Sequence, residues 1–146
     1  MLENVAAVCR ALGHPNRLRI VAMLEGGPLC SCQITAVLGI APSTVSAHLK
    51  ELVRVGVVET WRDYRWVHSR LTTDSTLRSL VDRFLKLLQD DPQVRRDREL
   101  LAGVREIDPV ELCRADLDLV ALGLVAGRDG KTSEASEAAE ETGMRA

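Results

Sequence analysis

Aromatic side chains are almost missing from this chain of 146 residues: two Trp, one Tyr and one Phe make up 3% of it. A core must therefore be assembled from Leu, Val, Ala and Ile rather than around large rings. No stretch approaches the roughly 20 apolar residues that a membrane-spanning helix needs, so no membrane partner is expected. The opening "MLENVAAVCRALGHPNR" has no basic segment ahead of an apolar run, and no secretion signal is read there. Cysteine is sparse, limited to Cys9, Cys30, Cys32 and Cys113. Without a secretion signal these thiols point to a reducing cytoplasm, where structure, metal or redox chemistry is the expected use, not a disulfide framework. No Ser/His/Asp set, phosphate loop or paired acid cluster is present. The closest cysteines are spaced C-x-C with no strand before them, unlike the C-x-x-C of a thiol oxidoreductase. An enzyme is not expected.

The net charge of −2 argues against nucleic acid when taken whole, but the charge is divided. Residues 1–72 hold 8 Lys and Arg against 5 Asp and Glu, a balance of +3, and residues 73–146 stand at −5. The basic half is where the most telling pattern lies.

Residues 3–12 read as a helix with Val5, Val8, Cys9 and Leu12 on one face. Pro15 opens a second helix that runs to Glu25 and ends at Gly26-Gly27-Pro28. A third, "CSCQITAVL", covers about 30–38, with Ile34, Val37 and Leu38 inward. After the tight turn Gly39-Ile40-Ala41, Pro42 opens a fourth helix to about Arg54, its inner face Val45, Leu49, Leu52 and Val53. Beyond Gly56 the period becomes two: "VVETW" and "RWVHSRL" form a hairpin around "RDY". An amphipathic helix over about 75–89 and another from Pro92 to about 105 follow, the latter behind an acidic cap. "DPVELCRADLDLVALGLV" suits one more helix from Asp108.

Two helices joined by a short Gly-containing turn and followed by a two-stranded ribbon define a winged helix-turn-helix, mainly α with a small β-hairpin. Residues 1–106 are assigned to DNA binding and dimerisation, 107–126 to a C-terminal helical extension, and 127–146 to a disordered tail without core-forming residues. In such a fold the fourth helix enters the major groove. Its outward face, Pro42, Ser43, Thr44, Ser46, Ala47, His48 and Lys50, is expected to meet double-stranded DNA. Small hydroxyls permit close approach, while Lys50, Arg54 and the wing residues Arg62 and Arg65 can neutralise phosphates.

The stretches "ALGHPNRLRIVAML", "PLCSCQITAVLG", "STVSAHLKELVRVGVV" and "RWVHSRL" together resemble the ArsR/SmtB family of metal-responsive winged-helix repressors. "LCSC" is similar to the cysteine motif of its arsenic- and cadmium-sensing branches, and "QDDPQV" with a trailing cysteine is similar to arsenic-responsive members. The resemblance implies a homodimer built on the first and fifth helices, operator binding as a dimer, and release on binding a soft ion. Two features depart from the family pattern. Ala41 stands where an N-capping hydroxyl or amide is common, and no third cysteine follows within a turn of the pair.

On an ideal helix Cys30 and Cys32 lie about 200° apart, so they share one ion only if the first turn distorts or stays unwound. Such distortion would couple binding to the reading helix. Thiolates favour soft ions. As(III) and Sb(III), satisfied by two or three sulfurs, are the expected inducers, with Cd(II) or another soft ion the alternative. The chain has no histidine beyond His68, so the His/Asp-rich zinc site that other family members carry on the fifth helix cannot be built. Cys113, with Arg114 beside it, is preferred over Cys9 as third ligand, since Cys9 suits a buried position on the first helix. The alternative function is a thiol redox or persulfide switch in the same fold.

Overall fold

The computed structural model describes residues 1–125. The tail assigned to 127–146 lies outside them. Helix α1 (Leu2–Leu12) leads into α2 (Pro15–Leu24), then a two-residue strand β1 (Leu29–Cys30) and α3 (Ser31–Leu38). Helix α4 (Pro42–Arg54) precedes the strands β2 (Val58–Asp63) and β3 (Trp66–Leu71), after which come α5 (Ser75–Leu88), α6 (Pro92–Arg105) and α7 (Pro109–Arg114). The sheet is antiparallel in the order β1-β3-β2. The fold is a winged helix-turn-helix whose wing is the β2–β3 hairpin.

Local chemistry accounts for most boundaries. Proline supplies the first turn of α2, α4, α6 and α7, where its missing N–H leaves no bond unmade. Asp91 caps α6 by accepting from the N–H groups of Gln93 and Val94 at 2.8 and 3.0 Å, and Asp74 caps α5 through Leu77 N–H at 2.9 Å. Ala41 gives α4 no side-chain cap. Between α3 and α4 the chain reverses at Gly39, whose φ of 66° closes α3 with its N–H on Thr35 O at 2.9 Å. Left-handed backbone of this kind favours glycine, which fixes the angle between the two helices.

Four differences from the sequence reading have physical causes. Cys30 is not in a helix: it is extended (φ −80°, ψ 155°), pairs with His68 of β3, and serves as N-cap of α3. A two-residue strand shows no alternation, so β1 is set by its partner and not by its own pattern. Val53 is 37% exposed, because Val45, Leu49 and Leu52 already fill the seam of α4. Cys9 is exposed, since α1 buries only Val8, Ala11 and Leu12. The segment after Asp108 is helical only to Arg114. It continues in turns, with Asp116 and Leu117 both left-handed at φ 52° and 60°.

The core is aliphatic, as the composition demands: Ile20, Leu29, Ile34, Leu52, Val57 and Val81 are among its fully buried members. Helix α6 packs on α2 and α3 and is tied to α2 by a two-pronged ion pair. Arg19 donates through Nε and Nη2 to the Asp97 carboxylate at 2.8 and 2.9 Å, while Gln93 donates to the same group at 2.9 Å. Asp97 is 1% exposed, so all of its charge is answered inside the protein.

Candidate nucleic-acid interface and thiol centre

Helix α4 divides cleanly into two sides. Val45, Leu49 and Leu52 turn to the core, and Pro42, Ser43, Thr44, Ser46, Ala47 and Lys50 are exposed. His48 is half-buried. Its ring lies 4.5 Å from that of His14, the N-cap of α2, and burial, then His14 and Arg17, hold its pKa below the usual 6.5. The exposed face is a run of small and hydroxyl side chains with one lysine, a surface a DNA groove can approach closely.

On the wing, Arg62 and Arg65 are exposed on either side of the tip, and Tyr64 takes the turn at φ 57°. The Arg65 guanidinium sits 5.2 Å over the Trp66 ring, and Arg70 sits 5.3 Å over Trp61. Trp61 in turn stacks on His68, its partner across the strands, at 5.6 Å. These stacks lay Arg65 and Arg70 against the indole rings of the hairpin. Arg54 bonds Glu51 one turn back at 2.9 Å, which leaves Lys50 the freer cation of the helix end.

The sulfur chemistry gathers beside the helix-turn-helix, where α3 meets α7. Cys32 on the first turn of α3 and Cys113 on α7 bring their Sγ atoms to 3.4 Å, well beyond a disulfide bond length and close enough for a thiol–thiol contact. Cys30 adjoins them from β1. Its N–H is held by Gln33 Oε1 at 2.9 Å, and its side chain is 2% exposed. Burial first, then the Cys113 contact and the neighbouring Cys30, push the Cys32 thiol up to about 12. A protonated, crowded thiol of this kind becomes a strong ligand once a soft Lewis acid displaces its proton. Among the described residues no three His, Cys, Asp or Glu side chains stand in a metal-binding array. Cys9 is exposed on α1 and does not line the cleft beside the Cys32–Cys113 pair.

The pair opens into a cleft of about 690 Å3 between α3, α4, the wing and the segment after α7. Its wall is largely apolar, with Val45, Leu49, Val53, Val67 and Leu117, and Ser46 and Lys50 of the exposed α4 face also line it. Sequence reasoning named Cys113 but not this cleft. The turn at Asp116 and Leu117 that forms one wall carries no glycine or proline to announce it.

The bacterial regulatory proteins of the arsR family match residues 14–60, the span from the start of α2 into the wing. The transcriptional regulator YgaV of Escherichia coli is 37% identical over 62 residues, covering 42% of this chain and 63% of that protein. An uncharacterised HTH-type regulator of Methanocaldococcus jannaschii, MJ1325, is 35% identical over 65 residues, 44% of this chain and 73% of its own. The arsenic resistance regulator ArsR1 of Pseudomonas putida is 29% identical over 91 residues, 58% and 71% respectively. Among solved structures, the homodimeric winged helix-turn-helix DNA-binding domain Mb0332 of Mycobacterium bovis superimposes with a TM-score of 0.51. It is 31% identical and covers 60% of this chain and 77% of that one. The chain thus spans just under two thirds of YgaV's length.

Proposed function

This chain belongs to the arsR family of bacterial regulatory proteins, and from that premise we propose that it is a transcriptional repressor which binds operator DNA as a homodimer and lets go when As(III) or Sb(III) is taken up by cysteine thiolates. Pro42, Ser43, Thr44, Ser46, Ala47, His48 and Lys50 meet the major groove, and Arg62 and Arg65 meet the flanking backbone. Dimerisation uses the apolar side chains left uncovered on α1 and α5, Leu2, Val5 and Leu87. The Mycobacterium bovis relative, a homodimer, supports that reading.

The observation that carries the sensing half is the 3.4 Å approach of Cys32 to Cys113 beside Cys30, on the helix that buttresses α4. The donor set is all sulfur and fits trivalent arsenic and antimony better than ions that want four ligands. The arsenic resistance regulator among the relatives supports the same reading, and Cd(II) is the next candidate. Binding three thiols draws Cys30 out of its place between β3 and α3. That strains the cap of α3 and, through the Gly39 turn, the seating of α4.

The test is fluorescence anisotropy of labelled promoter DNA from the protein's own locus, titrated with As(III), Sb(III), Cd(II) and peroxide. Release by As(III) or Sb(III), lost in Cys32→Ser and Cys113→Ser, is the expected result. Binding of DNA that no metalloid disturbs would overturn the sensing half. Release by peroxide alone would favour the second reading, a thiol redox or persulfide switch, for which the same Cys32–Cys113 contact is the point of attack.

A further inference from the structure

Arg17 lies outside the residues assigned to DNA above, yet it borders the exposed face of α4. It stands near the start of α2, where its charge bears on His48 and, one turn further along α4, on Glu51. The His14–His48 ring contact at 4.5 Å pins this end of α2 to α4. His48 is two residues from both Ser46 and Lys50, about 200° around the helix. Ser46 and Lys50 line the cleft that Thr60 and Val67 of the wing also line. The wing and the start of α2 therefore flank α4 on opposite sides, with Ser43, Thr44 and Ala47 exposed between them.

Nothing holds the Arg17 guanidinium. Arg19, two residues on, is locked to Asp97, and Arg54 is bonded to Glu51. Among the described residues Arg17 enters no ion pair, and its buried Nε–H meets no acceptor. Buried donors are ordinarily satisfied, so this guanidinium beside two imidazoles is a set of donors without an anion. The Glu51 carboxylate, which Arg17 helps to keep ionised, is already taken by Arg54 at 2.9 Å. Turning the part-buried Arg17 side chain outward therefore breaks no ion pair. A major groove about 12 Å wide has a phosphate backbone along each edge, and Arg62 and Arg65 answer one of them in the reading above. Resting on the assignment of α4 to that groove, we propose that Arg17 binds a DNA backbone phosphate on the side of α4 away from the wing, with the His14–His48 pair beside it. The guanidinium fork suits phosphate oxygens. The duplex is then gripped at both edges of the groove, and the ring contact fixes the angle at which α4 enters.

The experiment uses the reduced full-length chain and promoter DNA from its own locus, read by fluorescence anisotropy over a series of salt concentrations. Arg17→Gln is expected to weaken binding about tenfold and to lower the slope of log affinity against log salt by about 1, alike on every DNA sequence. Arg17→Lys should keep the slope. Single methylphosphonates, each removing the charge of one phosphate, are then placed along both strands. One position should weaken the wild type yet leave Arg17→Gln unaffected, and it should differ from the position that behaves so for Arg62→Gln. Thermal melts accompany each variant. Where Arg17→Gln does not fold, Arg17→Lys carries the test: it should alter the methylphosphonate response at that one position alone. Weaker binding with an unchanged slope and no coupled phosphate would make Arg17 a structural residue and overturn the assignment. A lower slope from Lys50→Ala but none from Arg17→Gln would also overturn it, while α4 keeps its place in the groove. A coupled phosphate for Arg17, with no effect of Lys50→Ala or Ser43→Ala, would sink the reading of α4 and leave the phosphate contact standing.

Discussion

The imidazole of His48, on the helix assigned to DNA reading, lies 4.5 Å from the imidazole of His14, which caps the preceding helix α2 through Nδ1 and Asn16 N–H. This ring contact joins the reading helix to the body of the fold. Burial, with His14 and Arg17 nearby, keeps His48 neutral further into acid than a free histidine. The unfolded chain therefore binds more protons than the folded one as pH drops through the usual histidine pKa, 6.5. Stability is full above that value and declines below it. Thermal melts between roughly pH 7.5 and 5.5 should show a falling midpoint, and His48→Gln should flatten the fall. An unchanged slope in the variant would remove His48 from the account. Glu51 and Glu59 are held below their usual 4.5, by Arg54 and by Thr73 with Arg70 respectively, so their loss belongs to more acid conditions and does not blur the window.

Among the described residues, Asp97 is the one buried carboxylate paired across helices. Asp97→Ala leaves Arg19 without its partner and should cost about 3 kcal/mol in urea denaturation, within the range for breaking a buried pair. Replacing both members with apolar residues of similar size should recover most of the loss. A cost below about 1 kcal/mol for the single change would mean that water reaches the site.

Gly39 holds φ at 66°, and a β-branched residue pays for that backbone in full. Gly39→Val should destabilise by about 1–2 kcal/mol and weaken DNA binding beyond what stability explains, because the turn sets α4 against α3. Gly39→Asn should be milder on both counts.

Lys50→Ala and Arg62→Ala should each lower the slope of log affinity against log salt by about 1, uniformly across DNA sequences. Substituting Ser43 or Ser46 should instead change which sequences are preferred. Equal effects on all sequences from every one of these variants would argue against α4 as the base-reading helix.

The Cys32 thiol, at about 12, should react slowly with iodoacetamide at neutral pH. Cys113→Ala removes one of the groups that raises it, and the labelling rate at Cys32, read by mass spectrometry, should rise about tenfold or more. No change would mean that burial alone sets its reactivity.

Sequence patterns were legible where the chain's own chemistry decides the structure. Pro42 and Pro92 begin their helices at the residues expected, and the period change after Gly56 marks the wing. They were illegible where a distant partner decides. Cys30 follows the helical pattern of α3 but is recruited into a strand by His68. Cys9 and Val5 share a helical face with Val8 and Leu12, yet a helix buries only as much of its face as its neighbour covers. The cleft is the extreme case. It depends on left-handed turns at Asp116 and Leu117; aspartate tolerates that backbone, but leucine gives no sign of it.

Cys32 and Cys113 stand 81 positions apart. Any ligand that ties them together closes a loop of that size. By loop-closure entropy such a staple restricts the unfolded chain by about 4–5 kcal/mol at room temperature. On the sensing function proposed above, the inducer-bound protein should then outlast the free one against heat and proteolysis, even as its hold on DNA weakens. Under that proposal, removal of the ligand by simple thiol exchange would return a stock of intact protein ready to bind DNA again, with no need for new synthesis.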